Sequence, residues 1–252
     1  MELFPVPDLP EIEPGDDLAL LIESRADLRP DDVLVVASTI VSKAEDRLAD
    51  LDDFPPGPRA TEIASRLSDL TGEEKDPRFA QAVLEESTEV LIEAPFLLTE
   101  TRFGHVGVNA GIDRSNVSGA DLLLLPKRPS ESAHRIRDGL AVRPSVIVSD
   151  TCGRPFRHGQ RAVALGWAGI PASRDWRGER DREGRELTAT VQCVVDELAG
   201  AANLVAGEGA DGTPVVVVRN WDFGNLDGSD HLYRDARTDF IRQALRGWEY
   251  AG

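Results

Sequence analysis

Short apolar runs alternate with longer amphipathic stretches, and this predicts that strands and helices are interleaved. The run from Asp31 to Ser38 is typical of a buried strand, and from Thr39 to Leu48 the apolar spacing becomes helical. Helical spacing recurs in five later stretches, at 59–70, 77–88, 129–142, 188–205 and 235–248. Pro77 suits the first turn of its helix, because that position needs no backbone N–H donor.

Further apolar runs predict strands between these helices, at 90–98, 106–109, 145–148, 162–168 and 214–219. The charged stretch 174–186 is typical of an exposed loop. Elements mixed in this way favour an α+β fold with mixed sheets and interleaved helices. We expect a single domain over residues 1–252, built from two intimately associated subdomains, one of them covering roughly 50–145.

The net charge of the chain disfavours some classes of function. Its 252 residues include 45 acidic and 28 basic side chains, for a net charge of −17. Such a balance disfavours general affinity for nucleic acid or for an anionic membrane. Three of the basic residues are lysines, Lys43, Lys75 and Lys127. Abundant, evenly spread acids with scarce lysine favour adaptation to the high-salt cytoplasm of a halophilic archaeon; an acidic protein with a basic partner is the alternative.

The sequence favours a cytoplasmic location. Neither a signal peptide nor an apolar run of about 18 residues is present, so we expect no export and no membrane span. Cys152 and Cys193 lack the spacing of a zinc site, and free thiols are expected. A catalytic Cys152 would need His158 as its base, which is the less favoured interpretation.

The segment Ser149–Gln160 concentrates candidate chemistry. It follows a predicted strand, so Asp150 and Thr151 are expected at a carboxyl end, with a Gly-Arg-Pro turn and a loop beyond. Their oxygens suit Mg²⁺ or Mn²⁺, while Arg154 and Arg157 suit phosphate or carboxylate groups. The alternative is a solvated loop with salt bridges.

Three further polar clusters stand at the ends of apolar runs. The first, Ser38, Thr39 and Lys43, suits a polyphosphate, although a helix cap by Ser38 or Thr39 is an equal alternative. The second spans Asn109–Val117 and the third Gly207–Gly212. Each of these two is alternatively a plain turn, because Gly, Asn and Asp favour turns.

Together the clusters predict a cation site beside a nucleotide site. The candidate cation ligands are oxygens, at Asp113, Asp150, Thr151 and Glu208. The candidate nucleotide contacts are Ser38, Thr39, Lys43 and Asn116. Carboxylates without His or Cys companions favour Mg²⁺ or Mn²⁺ over zinc. Such ions normally act with phosphate oxygens, so a nucleotide-dependent reaction is expected.

These motifs resemble those of the coenzyme F420-0:L-glutamate ligases, archaeal enzymes that add glutamate to the deazaflavin coenzyme F420. The resemblance covers nearly the full length. Its most specific blocks are Asn-Ala-Gly-Ile-Asp-Arg-Ser-Asn at 109–116 and Ser-Asp-Thr-Cys-Gly-Arg-Pro at 149–155. The other matching blocks are Leu9–Ile12, Ser38–Lys43, Lys75–Arg78 and Gly207–Gly212.

The resemblance implies a GTP-dependent ligase that acts as a homodimer with two Mg²⁺ or Mn²⁺ ions and K⁺. It implies that Asp113 and Asp150 hold one divalent ion, and Thr151 with Glu208 the other. The GTP contacts that it implies are Leu9, Pro10, Glu11, Ile12, Ser38, Thr39, Lys43, Asn116, Ala206, Gly207, Glu208, Gly209, Ala210, Asp211, Gly212 and Thr213.

For such a ligase, our mechanistic hypothesis is a reaction that passes through an acyl phosphate on F420-0. The amine of L-glutamate converts it to an amide, and a second round would add a γ-linked glutamate. Lys43 and Asp150 are the expected catalytic residues, and Arg154 and Arg157 the expected contacts to F420-0. The alternatives are a metal-dependent phosphohydrolase, in which water replaces the amine, and a non-catalytic nucleotide-binding regulator.

Overall fold

Seven α-helices run through the residues that the computed structural model describes, which are 1–114, 117, 119–209, 212–248 and 250. The helices are α1 (Leu18–Glu23), α2 (Ser38–Ala44), α3 (Pro58–Thr71), α4 (Pro77–Glu85), α5 (Pro129–Gly139), α6 (Val194–Ala206) and α7 (Phe240–Arg246). Short 3-10 helices lie at Leu51–Asp53 and Asn109–Gly111.

The strands between these helices form one large and three small sheets. They are β1 (Glu2–Pro5), β2 (Val33–Ala37), β3 (Leu48–Ala49), β4 (Ser87–Ile92), β5 (Leu98–Thr101), β6 (Val106–Val108), β7 (Leu122–Leu123), β8 (Ser145–Arg154), β9 (Arg157–Ala168), β10 (Ser173–Asp175), β11 (Val191–Cys193), β12 (Val215–Arg219) and β13 (Gly228–Ser229). The predicted α+β class is confirmed.

The chain divides into two compact units. The first consists of Met1–Glu45 and Arg128–Leu232. The second consists of Asp46–Lys127 and the segment that starts at Tyr233. Each unit has an apolar core of its own residues.

The first unit is built on a five-stranded sheet in the order β1-β12-β2-β8-β9. β2 and β8 are parallel, whereas the other neighbours are antiparallel. Its strands are apolar on both faces: Val146 and Val148 of β8 pack with residues of α1, α2 and α5, and Ile147 packs with α6. This burial on both faces explains why the strands appear in the sequence as continuous apolar runs.

The second unit packs helices α3 and α4 against short strands. α4 begins as predicted, with Pro77 in the first turn and the Asp76 carboxylate accepting a hydrogen bond from the backbone N–H of Arg78 at 2.8 Å. α3 ends at Gly72, whose φ of 71° is the left-handed conformation that glycine adopts readily.

Several predicted elements have different bounds in the structure. The expected helix at 39–48 ends at Ala44, and Leu48 belongs to β3. The expected strand at 90–98 is two paired strands, because β4 ends at Ile92 and β5 begins at Leu98. The expected helix at 188–205 starts only at Val194, since Val191–Cys193 pairs with β10 as β11. The tail helix covers 240–246 and not 235–248. Helical spacing is a local signal, and it does not reveal pairing with a distant strand.

Candidate functional site

The predicted site segments of the first unit meet at one edge of the large sheet. There β1 and β2 end, β12 begins, and β8 passes at Ser149. We call this the carboxyl edge, because it follows the carboxyl ends of β1 and β2. In open α/β sheets the carboxyl ends of parallel strands are where ligands bind.

A hydrogen bond joins two of the predicted residues at this edge. Ala37 lies opposite Ser149 in the parallel pair β2–β8, so the next residues, Ser38 and Asp150, are also neighbours. The Ser38 hydroxyl donates to Oδ1 of Asp150 at 2.9 Å, and Ser38 is 3% exposed. The alternative of a helix cap is wrong for both hydroxyls: the residue at the cap of α2 is Ala37, and it makes no side-chain cap hydrogen bond.

Lys43, a residue of helix α2, forms an ion pair. Its ammonium group contacts Oε1 of Glu11, a residue of the segment that follows β1. The Lys43 side chain is 10% exposed and that of Glu11 is 70% exposed. The lysine stem is therefore packed in the protein, while its charged end reaches a carboxylate at the surface.

Two backbone hydrogen bonds bring the remaining segments to the carboxyl edge. The N–H of Val6, just after β1, donates to the carbonyl of Val215 at 2.9 Å. The N–H of Ala37 donates to the carbonyl of Pro214 at 2.8 Å. Pro214, which follows the loop 206–213, therefore lies beside the start of α2, and Val6, which precedes the segment 9–12, lies beside Val215.

Within that loop the structure describes Gly207 to Gly209 and then Gly212 onward. Asn203 Nδ2 donates to Oε1 of Glu208 at 2.8 Å, so the predicted metal ligand is bonded to the end of α6. Ala210 and Asp211, predicted at GTP, lie outside the described residues. The metal role of Glu208 remains a prediction.

Contrary to the prediction from the sequence, the strand that carries Asp150 and Thr151 does not end at these residues. β8 continues through both residues to Arg154, and β9 returns from Arg157, so the motif forms a long β-hairpin. The Arg154 guanidinium donates to the carbonyl of Gly159 at 3.2 Å across this hairpin. Asp150 and Thr151 are therefore held by pairing with Val163 and Ala162 of β9, just beyond Ser149, where the pairing of β8 with β2 ends.

Cys152 lies in the same strand and is half-buried. Burial, and then the negative charge of Asp150, raise the pKa of the Cys152 thiol above its ordinary value. A nucleophilic cysteine needs the opposite shift. The raised pKa therefore argues against Cys152 as a nucleophile.

The predicted residues of the Asn109–Val117 motif belong to the second unit. Asp113 forms an isolated antiparallel bridge with Leu123, with backbone hydrogen bonds of 3.0 and 2.9 Å. Gly111 has a φ of 68°, and a Cβ there would lie 2.5 Å from Cδ1 of Leu125. Glycine is therefore required before Asp113. Asn116 lies outside the described residues.

The carboxylates predicted to bind metal do not form a ready-made cluster. Over the described ranges, no three His, Cys, Asp or Glu side chains are grouped so as to hold an ion. The chemistry of the donors still fits: Asp150 and Thr151 present hard oxygen atoms on adjacent positions of β8. The sharing of ions with Asp113 and Glu208 remains a prediction.

One prominent residue lies outside the predicted set. Phe156 at the tip of the β8–β9 hairpin is 104% exposed, which is unusual for an aromatic side chain. The signal in the sequence was an aromatic residue between Arg154 and Arg157.

The carboxyl edge, with its lysine, hydroxyl groups and carboxylate, suits a phosphate-bearing ligand. A sequence model of the family described as F420-0:Gamma-glutamyl ligase matches residues 8–220. The chain belongs to this family. The predicted resemblance is confirmed.

Named relatives match the whole chain. The protein called Coenzyme F420:L-glutamate ligase in Halorubrum lacusprofundi is 70% identical over 250 residues, covering 99% of each chain. The one of that name in Halobacterium salinarum is 69% identical over 252 residues, covering 100% of each. The one in Archaeoglobus fulgidus is 48% identical over 250 residues, covering 98% of each. No described helix is long and apolar enough to cross a membrane.

Proposed function

We propose that this chain attaches L-glutamate to coenzyme F420-0 in a GTP-dependent reaction of coenzyme F420 biosynthesis. The observation that carries the proposal is the 70% identity, over 99% of both chains, to a relative named Coenzyme F420:L-glutamate ligase. The convergence of the Ser38, Lys43 and Asp150 segments at the carboxyl edge supports a reaction on a bound nucleotide.

The reaction begins with the terminal carboxylate of F420-0. Its oxygen forms a bond to the γ-phosphorus of GTP while the bond from that phosphorus to the bridging oxygen of GDP breaks. The amine of L-glutamate then attacks the acyl carbon, phosphate leaves with the electron pair of the C–O bond, and the nitrogen loses a proton. A second round on the new terminus would give the γ-linked product.

The chain's own residues would bind and orient the triphosphate. Lys43 is placed in this proposal against the β- and γ-phosphates, and its ion pair with Glu11 keeps the ammonium at the surface of the edge before GTP binds. Ser38 positions the Asp150 carboxylate through their 2.9 Å hydrogen bond. Arg154 and Arg157 would contact the phosphodiester or carboxylate of F420-0. The GTP contacts at residues 9–12 and 206–213 are part of the same proposal.

Divalent cations complete the proposal. Asp150 would hold one divalent ion and Thr151 a second, each Mg²⁺ or Mn²⁺, whose chemistry is to neutralise charge on transferring phosphate groups. Asp113, Glu208, the K⁺ ion and the homodimer belong to the proposal on the family resemblance alone. Light scattering of the purified protein tests the dimer, and omission of K⁺ from the assay tests the monovalent ion.

One incubation distinguishes the candidate functions. The protein is mixed with GTP, Mn²⁺, F420-0 and L-glutamate, and the products are followed by mass spectrometry and phosphate release. A mass gain of one glutamyl residue on F420-0 is expected. Glutamate-independent phosphate release would indicate a phosphohydrolase instead, and nucleotide binding without turnover would indicate a regulator.

The Asp150→Ala variant tests the metal role in the same assay. Loss of glutamate-dependent GDP release is expected, because the variant lacks a ligand oxygen. Full GDP release by this variant in the presence of Mn²⁺ would contradict the assignment of Asp150.

A further inference from the structure

The tip of the β8–β9 hairpin presents an aromatic side chain to solvent. Phe156 is 104% exposed and has a φ of 65°, in the left-handed region that bulky residues rarely adopt. An exposed aromatic residue of this kind contributes no packing to the fold. It is therefore available to contact a ligand.

Beyond Asp150, the same hairpin lacks acidic residues. No Asp or Glu occurs between Asp150 and Asp175, although 45 of the 252 residues are acidic. The hairpin instead carries Arg154, Arg157 and Arg161. Arg154 is bonded to the Gly159 carbonyl, whereas the exposed Arg157 makes no ion pair with any described residue. The tip therefore combines a free aromatic face with positive charge in a protein whose net charge is −17.

These properties select the chemical class of the ligand. A flat aromatic ring stacks on an exposed phenyl group, and an anionic group on the same molecule is attracted by an adjacent guanidinium. The ligand expected at the tip is therefore a planar aromatic ring that carries a phosphate or carboxylate.

The length of β8 sets the distance between the hairpin tip and the proposed reaction site at Asp150. Arg154 lies four residues after Asp150 along β8, which at about 3.3 Å per residue is about 13 Å. A molecule that reacts near Asp150 and stacks at the tip must therefore be elongated, with its ring and its reactive group at opposite ends. Of the proposed substrates, F420-0 has this layout, with a deazaflavin ring, a phosphodiester and a terminal carboxylate.

The order of strands in the sheet argues against GTP as the ring that stacks here. The proposed GTP segments follow β1, precede β12 or follow β2, whereas β9 and the tip of the hairpin lie beyond β8 on the other side of β2. We propose that Phe156 stacks on the deazaflavin ring of F420-0 while Arg157 contacts its phosphodiester. This inference rests on the proposed ligase function.

Steady-state kinetics of Phe156→Ala test the inference. The KM for F420-0 is expected to rise about tenfold, as loss of a stacking partner does for other aromatic ligands. The KM values for GTP and L-glutamate are expected to stay within about twofold of wild type, and Phe156→Tyr is expected to restore the KM for F420-0 because it keeps the ring. Phe240→Ala is the matched control, since Phe240 is also exposed, at 81%, but lies in α7.

The outcomes separate this inference from the proposed function. An unchanged KM for F420-0 in Phe156→Ala, with normal wild-type turnover, overturns the stacking and leaves the ligase function intact. A rise in the KM for GTP instead assigns the ring to guanine and overturns the F420-0 subsite. A change in oligomeric state by light scattering shows that a second copy covers Phe156, which also overturns it. Wild-type protein that adds no glutamate refutes the proposed function itself.

Discussion

Ser38 and Asp150 are 112 residues apart in the chain, and one hydrogen bond of 2.9 Å joins their side chains. Partners of this kind fix the orientation of a carboxylate and the direction in which its second oxygen points. If Asp150 holds a cation, Ser38 is a positioning residue for that ligand.

Replacing Ser38 by Ala tests this role. Glutamate addition is expected to fall by about 10–100-fold, the usual cost of losing a partner that orients a metal ligand. The Mn²⁺ concentration needed for half-maximal rate is expected to rise, which a purely structural role would not change. Rates measured across a Mn²⁺ titration provide the test, with Cys152→Ala in the same strand as the control that should retain wild-type turnover.

Cys193 supports a second prediction about a single side chain. Burial, and then the charge of Asp196, raise the pKa of its thiol to about 12. The thiolate is the reactive form, so in a Cys152→Ala protein the rate of iodoacetamide modification should keep rising above pH 9. The urea-unfolded protein is the control and should level off near the ordinary thiol pKa of about 8.5. A native profile that levels off there would contradict the burial of Cys193.

The β8–β9 hairpin depends on close packing at one glycine. A Cβ at Gly166 would lie 2.2 Å from the carbonyl carbon of Pro129 and from the nitrogen of Ser130, at the start of α5. Backbone atoms cannot move aside as a flexible side chain can. The close approach of α5 to β9 therefore requires glycine at this position.

Gly166→Ala is expected to destabilise the protein by about 3 kcal/mol, at the upper end of typical overpacking costs. Gly153→Ala is the matched control in the same hairpin, because a Cβ there meets no described atom within 4 Å. Its effect should be within about 0.5 kcal/mol. Urea unfolding in molar KCl measures both, and equal stability of the two variants would show that α5 does not pack on β9 as described.

A buried ion pair ties β2 to β12. The Asp32 side chain is 0% exposed, and Arg219 donates to both of its oxygens, at 2.8 and 2.7 Å. Burial alone would raise the pKa of Asp32, but the hydrogen bonds and charges of Arg219 and Arg29 lower it overall. A lowered carboxyl pKa contributes stability above its unfolded value of about 3.9, and this contribution is lost as the pH falls through the folded pKa.

Asp32→Asn is therefore expected to cost about 3 kcal/mol at pH 7, because the Arg219 charge loses its partner. The difference from wild type should shrink as the pH falls below about 3.9 and through the lowered folded pKa of Asp32. Urea unfolding at pH 7 and at pH 3 measures the difference. A gap that stays constant between the two pH values would contradict the ionised pair.

The charge of the entire protein leads to a prediction about salt. With a net charge of −17, repulsion among acidic side chains is expected to destabilise the folded state when counterions are dilute. Thermal unfolding should occur at a clearly lower temperature in dilute buffer than in molar KCl, and molar sucrose should not replace the salt. Equal unfolding temperatures in the two buffers would refute adaptation to high salt.

Local signals in the sequence were sufficient to predict the position of several secondary-structure elements. The apolar run ending at Ala37 and the Asp76–Pro77 start of α4 were predicted closely, because burial on both faces and helix capping act over a few neighbouring residues. The α+β class and the family resemblance came from the same information. The acidic composition also predicted adaptation to high salt, which the salt experiment tests.

The arrangement of the site required the fold. The continuation of β8 through Asp150 depends on pairing with β9, since the pairs with β2 end at Ser149, and no periodicity within Ser149–Arg154 reveals this partner. The hydrogen bond of Ser38 to Asp150 and the ion pair of Lys43 with Glu11 likewise follow from the order of strands in the sheet. Side-chain chemistry is encoded residue by residue, whereas proximity arises from contacts between segments far apart in the chain, which form only when the core is packed.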